Sequence, residues 1–262
     1  MGELFSKIGL NREQRAVVRE LAERWGVDEQ TAPYASLLWS GQSTRTLHLD
    51  DVSGIPFLDG VPGMEEYQHR ARVRCGDGDF FAAVTPPAPG YEGYCQEVLG
   101  MGSPTFLLAE PVGSVIEVAA ACAQGETFDR LAAALRDEGA LTIHPYMGIH
   151  SAWDLGLKLQ QSTQKQVRVI APPPVVTWIA NDKGRLTELI DAVLGSSLRV
   201  QGDQGRDPDA LATTLLRLAQ AYDRIGIKRS RCASAMGNRV LNSSQISRLT
   251  HGQVKDLVLE FA

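Results

Sequence analysis

The residues best suited to chemistry are two lysines and a loop of small residues. Lys183 stands in Asn181-Asp182-Lys183, and Lys228 closes Ile225-Gly226-Ile227-Lys228 ahead of Ala233-Ser234-Ala235-Met236-Gly237-Asn238. A lysine presented from rigid backbone is a fixed point charge for a phosphate oxygen, and the loop behind Lys228 could close over a nucleotide's phosphates. Each lysine also has a bland reading: Lys228 as a solvated charge at a strand end, Lys183 as a solvated lysine in a helix's first turn. The parts around them have to decide.

Those parts read as strands alternating with helices. Asn11, with Gln14 three residues on, predicts a capped helix whose apolar face holds Val17, Leu21 and Trp25 and which stops at Gly26. Ala35–Trp39 reads as a first strand, and Gly41–Thr44 as a loop at its carboxyl end. Met64–Val73 predicts a helix with its charges facing water. Phe80–Thr85 and Thr105–Leu108 read as buried strands flanking a helix over Tyr91–Leu99. A helix over Thr127–Asp137, a strand over Ala140–His144, a helix from Ser151 to Leu159 and a strand over Val167–Ile170 follow in regular alternation. Such alternation implies a mostly parallel sheet with helices on its faces. Ala171-Pro172-Pro173-Pro174 reads as a stiff linker. Beyond it come helices from Lys183 and from Asp207-Pro208, the Lys228 strand, a return strand at Val240-Leu241 and a last helix over Gly252–Phe261.

The 262 residues are 44% hydrophobic, enough for a real core, and the net charge of -5 argues against binding a polyanion, which needs many cations to neutralise phosphates. Leu21-Ala22-Glu23-Arg24-Trp25-Gly26-Val27 has a passing likeness to a helix-turn-helix, but Pro33 falls inside what would be the second helix. No leader and no long apolar run is present, so the expectation is a cytoplasmic protein that does not engage a membrane or nucleic acid. Cys75, Cys95, Cys122 and Cys232 are too irregularly spaced for a zinc site and read as free thiols.

There is no Walker A loop, no complete Gly-x-Gly-x-x-Gly, no nucleophile elbow and no His-Glu-x-x-His helix. What the order of parts does resemble is the ATP-grasp superfamily, in particular the first half of the carboxylate-amine (peptide) ligases that carry a pre-ATP-grasp domain. Val61-Pro62-Gly63 leading into Met64–Tyr67, Gly90-Tyr91-Glu92-Gly93-Tyr94 with Val98-Leu99-Gly100, and His144-Pro145-Tyr146 are similar to segments of that domain. Asn181-Asp182-Lys183 with Leu194-Gly195 resembles the start of the first ATP-grasp subdomain. Ile227-Lys228 and Ser234–Asn238 resemble its strand lysine and the loop that covers the triphosphate.

The resemblance implies an α/β fold: a Rossmann-like pre-ATP-grasp domain with a mostly parallel sheet, followed by the first subdomain of an ATP-grasp fold. It divides the chain into an N-terminal helical segment (1–32), the pre-ATP-grasp domain (33–174) and the ATP-grasp subdomain (175–262). It implies ATP-dependent ligation of a carboxylate to an amine through an acyl phosphate, on an amino acid or small peptide. ATP and Mg2+ are the implied cofactors, with Lys183, Lys228, Ser234, Met236, Gly237 and Asn238 as nucleotide-binding residues. Two departures stand out. Ala235 takes the place of a loop glycine, and the second subdomain, which brings the metal ligands, would begin about where this sequence stops. Self-association, or a partner chain with the missing lobe, is therefore expected. The alternative is a noncatalytic subunit that binds a ligand or partner.

Overall fold

The computed structural model describes residues 9–41, 44–56, 58, 61–114, 116–198, 202–232 and 237–261. They form two compact units, one of Gly26–Trp178 and one that combines the N-terminal segment to Trp25 with Ile179–Ala262.

The unit 26–178 is built on five parallel strands: β1 (Thr46–Leu49), β2 (Phe80–Ala83), β3 (Thr105–Leu108), β4 (Ala140–Pro145) and β5 (Gln166–Val169). Their order across the sheet is β3-β2-β1-β4-β5, all parallel. This is a Rossmann-like α/β arrangement whose strand order reverses between β1 and β4. The β1–β2 connection packs Ala71 and Cys75 on the face that holds Phe81 and Ala83, and the helices that follow β3 and β4 pack on the opposite face. One face carries the main core, where Leu47, Leu49, Leu107, Leu141, Ile143 and Val167 pack against the helices Val118–Cys122, Gly125–Glu138 and His150–Thr163. Leu131 and Leu135 point one side of Gly125–Glu138 into this core, and Gly139 ends that helix at φ 83°, a left-handed conformation suited to glycine. Trp153 is wholly buried there, with its indole N–H donating to the Pro172 carbonyl at 3.1 Å.

Three features depart from the sequence expectations. Ala35–Trp39 is not a strand: Pro33 sits in the first turn of a 3-10 helix, Ala32–Leu37, and only Leu38 bridges to Val169 at the edge of the sheet. Proline's fixed φ suits a helix start, and the apolar Leu37 is buried from a helix instead. The first strand is instead Thr46–Leu49, whose leucines alternate with polar residues. Met64–Arg74 is a 3-10 helix, and its three-residue period turns His69, Arg72 and Cys75 inward, so its charges do not all face water.

In the other unit the Asn11 capping box forms as expected, with Asn11 accepting from the Gln14 N–H and Gln14 returning the bond. The Arg12–Arg24 helix packs on Lys183–Leu194, where Gln14 donates to the Val193 carbonyl at 2.8 Å and Arg24 pairs with Glu188. A two-stranded antiparallel hairpin, β6 (Arg224–Lys228) and β7 (Asn238–Asn242), completes this unit with the helices Pro208–Ala219 and His251–Phe261. Ile225 and Leu241 oppose each other on the hairpin's inner face and join Leu215, Val254 and Val258 in a second core.

Candidate functional site

The hairpin sorts its side chains by strand alternation. Ile225, Ile227 and Leu241 turn toward the helices, while Arg224, Gly226, Lys228, Asn238, Val240 and Asn242 share the opposite face and are exposed. Lys228 and Asn238 are direct cross-strand partners at the end that leads into the 229–237 connection. Two of the expected site residues therefore stand side by side on an open surface. A side-chain carbon added at Gly226 would touch nothing within 4 Å, which leaves this face flat beside Val240.

Lys183 is brought to the same connection by its helix. Asp182 caps that helix, accepting from the N–H groups of Gly184 and Arg185 at 3.0 and 3.2 Å, and pairs with Arg231 at 3.0 Å. Burial alone would raise the Asp182 pKa; the backbone bonds and the Arg231 pair outweigh it and hold the carboxyl below its ordinary range. The Lys183 N–H donates to the Ser230 carbonyl at 3.1 Å, and its ammonium reaches the carbonyls of Ser230 and Cys232 at 3.4 and 3.2 Å. Lys183 thus anchors the segment that follows Lys228. Gly237 has a packing role: a side-chain carbon there would lie 2.4 Å from the Cys232 side chain, and its carbonyl accepts from the Arg229 N–H at 2.7 Å. Ser234 and Met236 lie outside the described residues.

A second polar grouping, not anticipated from the sequence, occupies the other face of the five-stranded sheet where the strand order reverses. His48 of β1 and His144 of β4 are register partners with ring centroids 5.2 Å apart. Asp50, buried at the carboxyl end of β1, pairs with Arg74 at 2.6 Å and with Arg70 at 3.3 Å. Its neighbour Asp51, equally buried, turns to the core side and accepts from Ser53, Ala119 and Ser151. The crevice at these strand ends is filled on that side. A side-chain carbon at Gly148 would come within 2.0 Å of the Pro172 carbonyl oxygen, and one at Gly54 within 2.8 Å of Ile149. The alternation Thr46-Leu47-His48-Leu49 was the available sequence signal for this strand, and so for the acids that follow it.

Burial pushes His48 down to about 4, with His144 and Arg74 adding to the effect and Asp79, 3.3 Å away, opposing it. His144 is lowered as well, by burial and by Arg74 against the pull of Asp50. The folded pKa of His48 lies below the ordinary 6.5, so the unfolded chain binds the proton first as pH falls. Stability tied to His48 is complete above about pH 6.5 and is lost toward pH 4, on the order of 3 kcal/mol at full protonation. Urea unfolding at pH 7.5 and 4.5 is expected to show this loss in the wild type and a smaller one in His48→Gln.

Two surface concavities lie away from these groupings. One of about 470 Å³ opens by Tyr222, Arg224 and Ser247, at the hairpin end opposite Lys228, and one of about 520 Å³ lies beside Gln160, Lys165 and Arg168. Both are lined by ordinary surface residues, so the side-chain geometry described above is the better guide to a site. Among the described residues no group of three or more His, Cys, Asp or Glu is placed to hold a metal, and no helix is long and apolar enough to cross a membrane. Neither a scan against protein-family models nor a search of curated proteins returns a match to this chain.

Proposed function

We propose that this chain carries the nucleotide-binding half of an ATP-dependent carboxylate-amine ligase, acting on an amino acid or small peptide. On this reading the Rossmann-like unit is a pre-ATP-grasp domain and the hairpin unit is the first subdomain of an ATP-grasp fold. The observation that carries the proposal is the uncovered hairpin face, where Lys228 stands opposite Asn238 and Lys183 holds the backbone beyond them. When bound, ATP supplies the phosphoryl group that activates the carboxylate for displacement by an amine.

The chain's own residues have simple roles in this account. Lys228 offers a fixed positive charge to phosphate oxygens, and its value rises where a bound nucleotide excludes water. Asn238 adds a neutral donor and acceptor next to it. Gly226 and Val240 leave a flat, partly apolar surface on which a planar base can lie. Lys183 positions the 229–232 backbone through two carbonyls and so acts on the site indirectly. Among the described residues no group of three or more His, Cys, Asp or Glu is placed to hold a metal, and none of these roles runs through magnesium. On this reading the metal ligands belong to a second subdomain.

Calorimetry of ATP with Mg2+ against the purified chain tests this. Saturable binding is expected, weakened at least about tenfold in Lys228→Ala, a change of roughly 1.4 kcal/mol. Binding that Lys228→Ala leaves intact, or no binding to a folded sample, would overturn the assignment of this face. The second result would favour a noncatalytic interaction subunit.

A further inference from the structure

We propose that Arg231 is a second phosphate-binding residue of the hairpin site, held on Asp182 until a nucleotide takes it over. This rests on the nucleotide reading and adds to it a contest between an acid of the protein and the ligand for one arginine.

Lys183, Lys228, Arg229 and Arg231 adjoin the segment that leaves β6, and they are held in different ways. Lys228 stands exposed on the open face. The Lys183 ammonium donates to the carbonyls of Ser230 and Cys232. Arg229 donates from Nε to the Phe261 carbonyl at 2.8 Å, with its guanidinium 5.2 Å from the centre of the Phe261 ring. Arg231 instead meets a carboxylate, donating from Nε to Asp182 Oδ2 at 3.0 Å. That pair is open to solvent, with the Arg231 side chain 47% exposed. An ion pair in contact with water contributes little and is readily exchanged for a more highly charged anion.

Asp182 has a separate task that keeps it in place whether or not Arg231 stays. Its other oxygen, Oδ1, caps the Lys183–Leu194 helix by accepting from the N–H groups of Gly184 and Arg185. The carboxylate therefore cannot follow Arg231 to a ligand, and Arg231 has to leave it. A triphosphate offers the guanidinium several charged oxygens in the paired arrangement that suits its N–H fork. Three residues of chain span at most about 10–11 Å, and both side chains are long, so one triphosphate can touch Lys228 and Arg231 together. The chain here adds no acid to repel it: from Arg224 to Lys255 the sequence has no aspartate or glutamate. Asp182 thus acts on the site through Arg231, keeping the arginine beside the connection and competing with the nucleotide for it.

Calorimetry of ATP with Mg2+ against the wild type, Asp182→Asn, Arg231→Gln and the double variant tests this. Asparagine caps a helix about as well as aspartate, so Asp182→Asn removes the competing charge and keeps the helix start. It is expected to tighten ATP binding about two- to fivefold, the weight of one exposed ion pair. Arg231→Gln should weaken binding about three- to tenfold. In the Arg231→Gln background the gain from Asp182→Asn should shrink to less than about 1.5-fold, because a gain that survives there comes from the lost negative charge alone. A pair that merely fixed the segment would give the opposite sign, weaker binding in Asp182→Asn. Unchanged or weaker binding in Asp182→Asn, unchanged binding in Arg231→Gln, or an equal gain in both backgrounds would each overturn the proposal. In those cases wild-type binding that depends on Lys228 leaves the nucleotide reading standing, whereas no binding to the wild type overturns both.

Discussion

Asp51→Ala is expected to lower the stability of the five-stranded unit by about 5 kcal/mol, a large share of the roughly 5–15 kcal/mol that holds a typical domain together. The Asp51 carboxylate accepts at one oxygen from the N–H and hydroxyl of Ser53 and at the other from the Ala119 N–H at 2.8 Å and the Ser151 hydroxyl at 3.4 Å. It thereby ties the end of β1 to the starts of the helices Val118–Cys122 and His150–Thr163, where a negative charge is also favoured by N–H groups that have no partner within the helix. Burial raises its pKa, and these bonds oppose that shift. Alanine leaves the N–H donors of Ser53 and Ala119 without a partner in the interior. Asp51→Asn separates the hydrogen bonds from mere volume, because each oxygen serves one backbone N–H that cannot turn away. Either orientation of the amide sets its NH2 against such a donor, so asparagine should recover only part of the loss. Urea unfolding followed by circular dichroism checks both variants, and near-wild-type stability in Asp51→Ala would contradict the assignment.

The second large effect is expected at Glu92. Arg72 is fully buried, and Glu92 meets it with two bonds of 2.6 and 2.7 Å. The pair holds Glu92 below its ordinary pKa, chiefly through the Arg72 hydrogen bonds. In Glu92→Ala the guanidinium stays in the interior with the Gly102 carbonyl, 2.8 Å away, as its remaining acceptor among the described residues. Removing one partner of a buried charge pair typically costs about 3–5 kcal/mol; the Glu92 side chain is half-exposed and water screens the pair from that side, so about 2–3 kcal/mol is expected here from the same unfolding measurement. Replacing both residues, as Arg72→Met with Glu92→Ala, should restore part of this, because the stranded charge rather than the lost contact dominates the cost.

The sequence was readable where local pattern and tertiary environment agree. Phe80–Ala83 and Thr105–Leu108 are short apolar runs between turn residues, Gly139 closes its helix, and Asn11 and Asp207 cap theirs. Reading failed at β1, where Thr-Leu-His-Leu is half polar and the apolar stretch nearby, Ala35–Trp39, drew the strand assignment. With β1 misplaced, the polar grouping around Asp50 could not be seen. It is assembled from β1, β4 and the 3-10 helix Met64–Arg74, and the inward turn of Arg72 follows a three-residue period that an α-helical pattern hides. At the hairpin, the strands and Lys228 were legible from the run Ile225-Gly226-Ile227. The cross-strand pairing of Lys228 with Asn238 and the anchoring by Lys183 depend on register and on distant contacts that spacing alone does not define.

The central claim, that the open face of the hairpin receives the nucleotide, is tested most directly by mapping backbone amide NMR shifts while ATP and Mg2+ are added. The account predicts the largest changes at Gly226, Lys228, Asn238 and Val240, with the amides of β1 and β4 unmoved. Changes centred on the carboxyl ends of β1 and β4, with the hairpin unaffected, would contradict it.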